Sequence, residues 1–195
     1  MDLIPDLFTL DESTCLLQQG ALRLDWTGYQ PEQPEVIFTA IGAYQLEKVI
    51  KASERLREHK IPHSVVYMFE PGRFRKPRNK SESNHGASLE LQRNLYPDIV
   101  TARIFVTHTR PEPILGALQP LNTGNGRTAA LGFINRGGTL NVPGMLFVNR
   151  CTWAHILIET SRVLNMDRES LLSNEELAAL DGKAHPEIIL SNGKA

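Results

Sequence analysis

The sequence has 195 residues, of which 41% are hydrophobic and 22% are charged, and its formal net charge is −1. This composition is typical of one globular domain rather than a disordered chain, and the charge gives no general attraction to nucleic acid or anionic lipid. Two cysteines, Cys15 and Cys151, are too few for a disulfide scaffold or a zinc site, so we expect a cytoplasmic, reducing location. No apolar run approaches the roughly 20 residues of a membrane span, and the acidic N-terminal stretch lacks the basic start of a signal peptide.

The N-terminal residues predict little regular structure before the first strand. Residues 1–19 contain apolar positions at weak helical spacing without a clean period, and we expect them to form a connecting arm. Residues 20–26 alternate apolar and charged side chains, which is typical of a half-buried strand at the edge of a sheet.

The next stretch predicts two parallel strands joined by a helix. Residues 35–41 form a continuous apolar, β-rich run, as expected for a strand buried on both faces. Residues 43–60 then show helical spacing with a mixed-charge outer face, and Pro62 prevents the helix from continuing. Residues 64–69 supply a second buried strand. Such a β-α-β unit requires a parallel pair with a right-handed crossover.

The remaining chain continues the alternation of strands and helices. The predicted elements are a polar loop over 70–84, helices over 85–94 and 111–121, strands over 99–107 and 128–134, an extended segment over 139–142, a short helix or turn over 143–148, an amphipathic helix over 152–165, and small helices beginning at Asp167 and, with a capping box, at Ser173 and Glu176. We expect residues 191–195 to be loose. The pattern predicts a single α/β domain over residues 20–190: three layers, with a mostly parallel, mixed sheet of about five strands and helices on both faces.

A basic run is the most conspicuous candidate for ligand binding. Residues 73–80 hold five cations, among them Arg73, Arg75 and Arg78, directly after a strand, where α/β sheets usually present ligands. Guanidinium groups fit phosphate oxygens bidentately. His108 and Arg110 follow another strand and could belong to the same anion site. The alternatives are a solvated loop, or a patch of ion pairs within the chain or against another domain; nucleic-acid binding is disfavoured, because no basic stripe continues over the surface.

Two further patterns resemble catalytic or cofactor motifs only superficially. Residues 124–129 fit G-x-G-x-x-A, but a dinucleotide fingerprint needs a strand before it and a helix after it, and here the order is reversed, which favours a turn. Cys151 and His155 lie one helical turn apart, but the sequence names no third group that would orient a nucleophilic pair. His155 is therefore expected to have a packing or interface role.

The segment from Gly132 to Met145, followed by Asn149 and residues 152–164, resembles the closing segment of phosphoketolases, thiamine-diphosphate enzymes related to transketolase. The shared order is a strand with Gly-aromatic, a polar-Gly-Thr turn, a Pro, a Met, an Asn and a final helix. The family has Pro-Phe-Asp-Met and Asp-Arg-Phe-His-Leu where this chain has Pro-Gly-Met and Thr-Trp-Ala-His-Ile, which indicates a divergent branch. Residues 20–24, 35–56 and 61–70 are similar to the start of the third domain of transketolases and pyruvate-dehydrogenase-type enzymes, so the resemblance covers about residues 20–165.

The resemblance implies a supporting rather than a catalytic role. In this superfamily the cofactor and the reacting sugar lie between the first two domains, across a dimer, and the third domain mainly supports that dimer. The implied parent is a homodimeric enzyme of sugar-phosphate metabolism, acting on xylulose 5-phosphate or fructose 6-phosphate with thiamine diphosphate and magnesium. This chain contains no Gly-Asp-Gly…Asn-Asn thiamine motif, so no cofactor is expected in it and the isolated domain is expected to be inactive. A free-standing regulatory module that binds an anionic metabolite through residues 73–80 remains the alternative.

Overall fold

The protein is described by a computed structural model that covers residues 7–124, 126–134 and 138–191. Its strands are β1 (Ala21–Arg23), β2 (Val36–Ile41), β3 (His63–Met68), β4 (Ala102–Thr107) and β5 (Thr128–Leu131). Its α-helices are α1 (Leu10–Gln19), α2 (Ala43–Glu58), α3 (Lys80–His85), α4 (Leu89–Leu95), α5 (Pro111–Ala117), α6 (Val142–Val148), α7 (Trp153–Leu164), α8 (Asn174–Leu180) and α9 (Glu187–Leu190). Short 3-10 helices occupy Pro71–Phe74, Gln119–Leu121 and Arg168–Ser170.

The five strands form one mixed sheet in the order β1-β3-β2-β4-β5. Strands β2 to β5 are parallel, and β1 pairs antiparallel with β3 at one edge. The central strand β2 places Phe38 beside Val65 of β3 and Ile104 of β4. All six residues of β2 are buried, which explains why its sequence is a continuous apolar run rather than an alternating one.

Helices cover both faces of the sheet, so the predicted three-layer α/β fold is confirmed. On one face, α2 and α7 pack side by side against the strands, and α8 and α9 extend the same core. Leu46 and Val49 of α2 and Leu157 of α7 are fully buried there. On the other face, Phe74 and Tyr96 belong to a second core, formed with the loops and short helices that follow β3 and β4.

A buried arginine fixes the amino-terminal side of β4. The Arg103 guanidinium is only 4% exposed and donates to the carbonyl oxygens of Tyr96, Pro97, Val100 and Leu121 at 2.9–3.2 Å. Burial lowers the pKa of Arg103 from its ordinary value. These hydrogen bonds join the loop before β4 to the segment before β5, because one planar guanidinium presents five donors in fixed directions.

Several segments differ from the sequence prediction. Residues 10–19, assigned to the connecting arm, form helix α1, which starts with a capping box between Thr9 and Glu12 and ends at Gly20 with φ +79°. Residues 80–85 form α3 within the predicted polar loop, because the Asn79 side chain caps its first turn. Residues 138–141 form no strand, and α6 begins at Val142. Strand β5 ends at Leu131, short of the predicted residue 134, and the predicted loose residues 192–195 lie outside the described residues.

Candidate functional site: the carboxyl edge of the parallel strands

The carboxyl ends of β2, β3, β4 and β5 meet at one edge of the sheet, where open α/β sheets commonly bind ligands. His108 lies there, directly after β4. Its backbone N–H and its ring Nδ1–H both donate to the carbonyl oxygen of Ile41 at the end of β2, at 3.2 and 3.0 Å. The ring therefore joins two neighbouring strand ends, which is a structural role. Arg110 stands at the N-cap position of α5 and makes no ion pair with the described residues.

Gly42 and Gln45 complete the turn beside His108. Gly42 has φ +115°, a backbone conformation that residues other than glycine rarely adopt. A Cβ atom at this position would lie 2.5 Å from Gln45 Oε1 and 3.0 Å from His108 Nδ1. The approach leaves no room for a ligand between the end of β2 and the His108 ring. The sequence places His108 correctly at a strand end, but its ring nitrogen is engaged by the fold.

Arg73 in the basic run holds the N-terminal helix. Its Nε donates to Glu70 Oε2 at 2.6 Å, and its Nη1 donates to the carbonyl oxygen of Gln18 at 2.6 Å. A cation at the last carbonyl groups of α1 also complements the negative end of the helix dipole. Arg73 therefore acts as a clamp between the loop after β3 and the end of α1.

Arg75 and Arg78 share one carboxylate. Their Nη2 atoms lie 2.7 and 2.6 Å from the same Glu82 oxygen, Oε1. Arg78 also donates to Glu82 from its backbone N–H, and these contacts lower the pKa of Glu82 to about 2. A surface cavity of about 240 Å³ adjoins this cluster, and its lining includes Glu70 and Glu82 as well as arginines.

The structure brings Arg73, Arg75 and Arg78 together in one loop, with carboxylates already among them. His108 and Arg110 do not line the cavity beside these arginines. An anion that binds Arg75 and Arg78 would have to compete with Glu82. The geometry of this loop favours a patch of ion pairs within the chain, one of the readings left open by the sequence.

The turn before β5 joins the sheet to the end of α7. Of the glycine pattern over 124–129, Asn125 lies outside the described residues; Gly126 has φ +71° and leads directly into the strand. Arg127 Nη1 donates to the carbonyl oxygen of Val163 at 2.5 Å, and Arg162 Nη1 donates back to the carbonyl oxygen of Gly126 at 2.9 Å. The described part of the pattern precedes a strand rather than the helix that a dinucleotide site requires.

A buried serine–histidine relay was not predicted from the sequence. Ser53 Oγ lies 2.7 Å from His63 Nε2, and His63 Nδ1 lies 2.7 Å from the carbonyl oxygen of Ile61. Because only Nδ1–H can donate to that carbonyl, Nε2 accepts from Ser53, and the Thr27 hydroxyl donates to Ser53 at 2.9 Å. The same geometry activates nucleophiles in hydrolases. Here Ser53 and His63 are both 0% exposed, so no substrate reaches them and the relay holds strands and helix together.

Cys151 and His155 do not form a nucleophilic pair. Burial raises the pKa of the Cys151 thiol to about 12, and the thiol contacts the carbonyl oxygen of Asn149 at 3.3 Å. The Nδ1 of His155 is bonded instead to Thr152 Oγ1, at 2.7 Å. A neutral thiol without a base is a weak nucleophile.

The chain from β5 to α6 is positioned by close backbone packing. Gly132 lies against the carbonyl oxygen of Thr109, and a side chain at this position would clash with it. Asn149 is buried; its Oδ1 accepts from the Ile134 N–H at 2.9 Å, and its Nδ2 donates to the Met145 carbonyl oxygen at 2.9 Å. Residues 135–137, which include Gly137 of the predicted turn, lie outside the described residues.

An apolar surface, here called the carboxyl-edge surface, surrounds these turns. It comprises the exposed large apolar residues that follow or flank the carboxyl ends of the strands: Tyr44, Phe69, Phe133, Ile134, Leu140 and Val142, each between 36% and 56% exposed. Concentrations of exposed apolar side chains commonly mark interaction sites. Within residues 7–124, 126–134 and 138–191, no group of three or more His, Cys, Asp or Glu side chains could hold a metal ion. None of the described helices is both long and apolar enough to cross a membrane.

Solved transketolases have a similar fold over part of their length. A transketolase variant from Pichia stipitis matches with a TM-score of 0.53 and 15% identity, covering 81% of this chain and 19% of that chain. The transketolase from Campylobacter jejuni subsp. jejuni matches with a TM-score of 0.51 and 11% identity over 76% of this chain and 19% of that chain. The transketolase from Leishmania mexicana matches with a TM-score of 0.51 and 13% identity over 80% of this chain and 19% of that chain.

The sequence itself matches no protein-family model and no curated protein. The matched region spans about a fifth of the length of the solved transketolases, each covered to 19%. At these identities the comparisons establish the architecture. The chain therefore has a transketolase-like α/β fold of the C-terminal-domain type.

Proposed function

We propose that this chain is the non-catalytic C-terminal domain of a thiamine-diphosphate-dependent enzyme of the transketolase and phosphoketolase class. The observation that carries the proposal is the fold shared with a region that makes up 19% of solved transketolases. The Ser53–His63 pair is fully buried, and the described residues hold no group of three or more His, Cys, Asp or Glu side chains that could bind a metal ion. A domain of this type contributes to a larger enzyme by binding its other domains.

The carboxyl-edge surface is the face that we assign to this docking. Backbone contacts run along it from strand to strand: His108 N–H to Ile41 at 3.2 Å, then Phe133 N–H to Thr109 at 2.8 Å. Because these hydrogen bonds tie neighbouring strand ends together, the apolar side chains beside them can bury against a partner with a smaller loss of conformational entropy. The occupant is the remainder of the parent enzyme, since the matched transketolases extend well beyond the shared region.

The finer parts of the proposal rest on the resemblance of residues 132–164 to phosphoketolases. We infer a cytoplasmic parent enzyme that is a homodimer, holds thiamine diphosphate and magnesium in its other domains and acts on a phosphorylated ketose such as xylulose 5-phosphate or fructose 6-phosphate. Thiamine diphosphate supplies a carbanion for breaking a carbon–carbon bond next to a carbonyl. This chain would contribute by holding the two halves of the dimer, and no step of that reaction is assigned to its residues.

The test starts from the native protein. An antibody against the domain is used to isolate it from cell extract, and the isolated species is assayed for turnover of xylulose 5-phosphate with and without added thiamine diphosphate. We expect the domain to be found in, or tightly bound to, a species several times heavier than 21.8 kDa that converts the sugar phosphate. Recovery of a free, inactive 195-residue chain would contradict the proposal, and so would thiamine-dependent turnover by the purified chain alone.

Substitutions on the carboxyl-edge surface test its assignment to docking. Phe133→Ser and Val142→Ser remove apolar side chains that are 36% and 40% exposed, and they should weaken assembly of the parent enzyme without lowering the stability of the domain. Ile99→Ser, at a residue 90% exposed just before the amino end of β4, is the matched control. Equal effects of all three variants on assembly would remove the assignment of this surface.

A further inference from the structure

A cavity of about 230 Å³ opens beside the end of β5, between α7 and the segment that leads into and out of α8. Apolar walls are supplied by Leu131, Ile158 and Leu180. The volume lies below the roughly 300 Å³ at which sites for drug-sized ligands begin. The occupant would therefore be a small molecule with a short apolar part.

The acidic groups around this cavity are already neutralised. Glu159 Oε2 accepts from Arg162 Nε at 2.7 Å. Asp181 accepts from Arg168 Nη1 and from Lys183 Nζ, each at 3.3 Å. These two carboxylates are therefore paired with other cations and not with Arg150, which also lines the cavity.

Arg150 and His155 are the polar groups left over. Arg150 lines the cavity, and no described residue forms an ion pair with its side chain. His155 uses Nδ1 for Thr152 Oγ1 at 2.7 Å, whereas its Nε2 has no partner among the described residues. Since every fully buried side-chain nitrogen and oxygen that the structure describes has a partner, Nε2 must be open to solvent. The ring edge therefore offers a free hydrogen-bonding position in the cavity that Arg150 also lines.

The tautomer of His155 can adapt to an anion. If the Thr152 hydroxyl donates to Nδ1, the proton of the neutral ring is on Nε2, and this N–H donates into the cavity. Burial, together with the nearby Arg150 charge, lowers the pKa of His155 to about 4, so the ring is neutral at pH 7. An anion between Arg150 and His155 would offset the repulsion by Arg150, which links anion binding to proton uptake by the ring.

We propose that this cavity binds a small phosphate-bearing metabolite, whose phosphate lies between the Arg150 guanidinium and His155 Nε2–H and whose short carbon chain lies on Leu131, Ile158 and Leu180. Guanidinium forks match phosphate oxygens, which favours phosphate over a single-point anion. The cavity shares no lining residue with the carboxyl-edge surface or with the 73–80 loop, and the inference does not depend on the proposed place of the chain in a larger enzyme.

Nuclear magnetic resonance of the histidine rings tests the site with inorganic phosphate and glycerol phosphate as probes, at constant ionic strength in chloride. In the 195-residue chain we expect saturable shifts of the His155 ring signals, and a rise of the His155 pKa by about one unit when phosphate is bound. In Arg150→Gln we expect binding about tenfold weaker or weaker still. The matched control Arg78→Gln removes the same charge from the 73–80 loop and should bind phosphate as the unaltered chain does.

Any of three results would overturn the proposal. The first is a His155 ring in the unaltered chain that phosphate leaves unchanged or shifts without saturation. The second is an Arg150→Gln chain that retains the full response, and the third is an Arg78→Gln chain that loses it. A thermal melt checks that Arg150→Gln is folded, and should it not fold, the titration of the unaltered chain still decides the question.

Discussion

The guanidinium of Arg55 in α2 holds the carboxylate of Glu176 in α8 with two hydrogen bonds, Nη2 to Oε1 at 2.9 Å and Nη1 to Oε2 at 3.2 Å. Its central carbon also lies 5.2 Å from the centre of the Trp153 ring in α7. Desolvation would raise the pKa of Glu176, but the hydrogen bonds from Arg55 and Ser173 reverse this and lower it. Three helices on one face of the sheet are thus joined through one planar cation.

Arg55→Met should destabilise the domain by about 3 kcal/mol, because the Glu176 carboxylate, only 8% exposed, loses its charged partner. The free energy of unfolding is measured by urea denaturation. Arg78→Met is the matched control, since Arg78 is 73% exposed and solvent screens its pair with Glu82, so this variant should lose much less stability. Equal losses in both variants would contradict the assigned role of the Arg55–Glu176 pair.

Acidification from pH 6.5 to pH 4 should reduce stability through His155. Its pKa is about 4 in the folded protein and near 6.5 when unfolded, so over this interval the unfolded chain binds a proton that the folded ring refuses. The loss amounts to roughly 3 kcal/mol at most. Burial lowers the pKa of His63 as well, which adds a loss in the same direction.

The pH dependence is measured by urea denaturation in phosphate-free buffers. His155→Gln should flatten the dependence between pH 6.5 and pH 4, whereas replacing the exposed His59 by Gln should leave it unchanged. A His155→Gln chain with the full acid sensitivity would show that other groups cause it.

Arg73→Gln should loosen the end of α1 while leaving the sheet intact. The substitution removes the hydrogen bond to the Gln18 carbonyl oxygen and the ion pair with Glu70, at 2.6 Å each. Amide hydrogen exchange in residues 15–20 should become faster, because local opening no longer breaks the Arg73 contacts. Amide exchange in β2 should not change. The control Arg75→Gln should change the exchange rate neither in residues 15–20 nor in β2.

Glu82→Gln should create an anion site that the unaltered chain does not offer freely. The substitution removes the charge that Arg75 and Arg78 now share through Oε1, at 2.7 and 2.6 Å. Sulfate binding, measured by calorimetry, should become about tenfold tighter. Unchanged sulfate affinity would show that the carboxylate does not occupy the arginines, and the metabolite-binding reading of the 73–80 loop would regain support.

The strongly patterned part of the fold could be predicted from the sequence. The run over residues 35–41, the amphipathic stretch after it and the stop at Pro62 correspond to β2, α2 and the turn into β3, because burial on two faces and on one face leaves different periods. Helix α1 was missed although Thr9 and Glu12 carry a local signal, the spacing of a capping box.

The functional candidates were harder to predict, because their partners are distant in sequence. Nothing near His63 announces that Ser53 and the Ile61 carbonyl oxygen will occupy both ring nitrogens. The free Arg150 and the open side of His155 become visible only when α7 and α8 enclose a common cavity. The basic run over residues 73–80 is conspicuous in the sequence because its charges are contiguous, whereas Glu82, whose carboxylate pairs with two of them, lies two residues beyond the run.

The two border strands of the sheet are short, three residues in β1 and four in β5. Such short edge strands present few unpaired backbone N–H and C=O groups, so a strand of another chain can form few hydrogen bonds with them. A partner therefore has to recognise side chains rather than backbone. Short edge strands therefore let the sheet resist fibre-like growth at both of its borders.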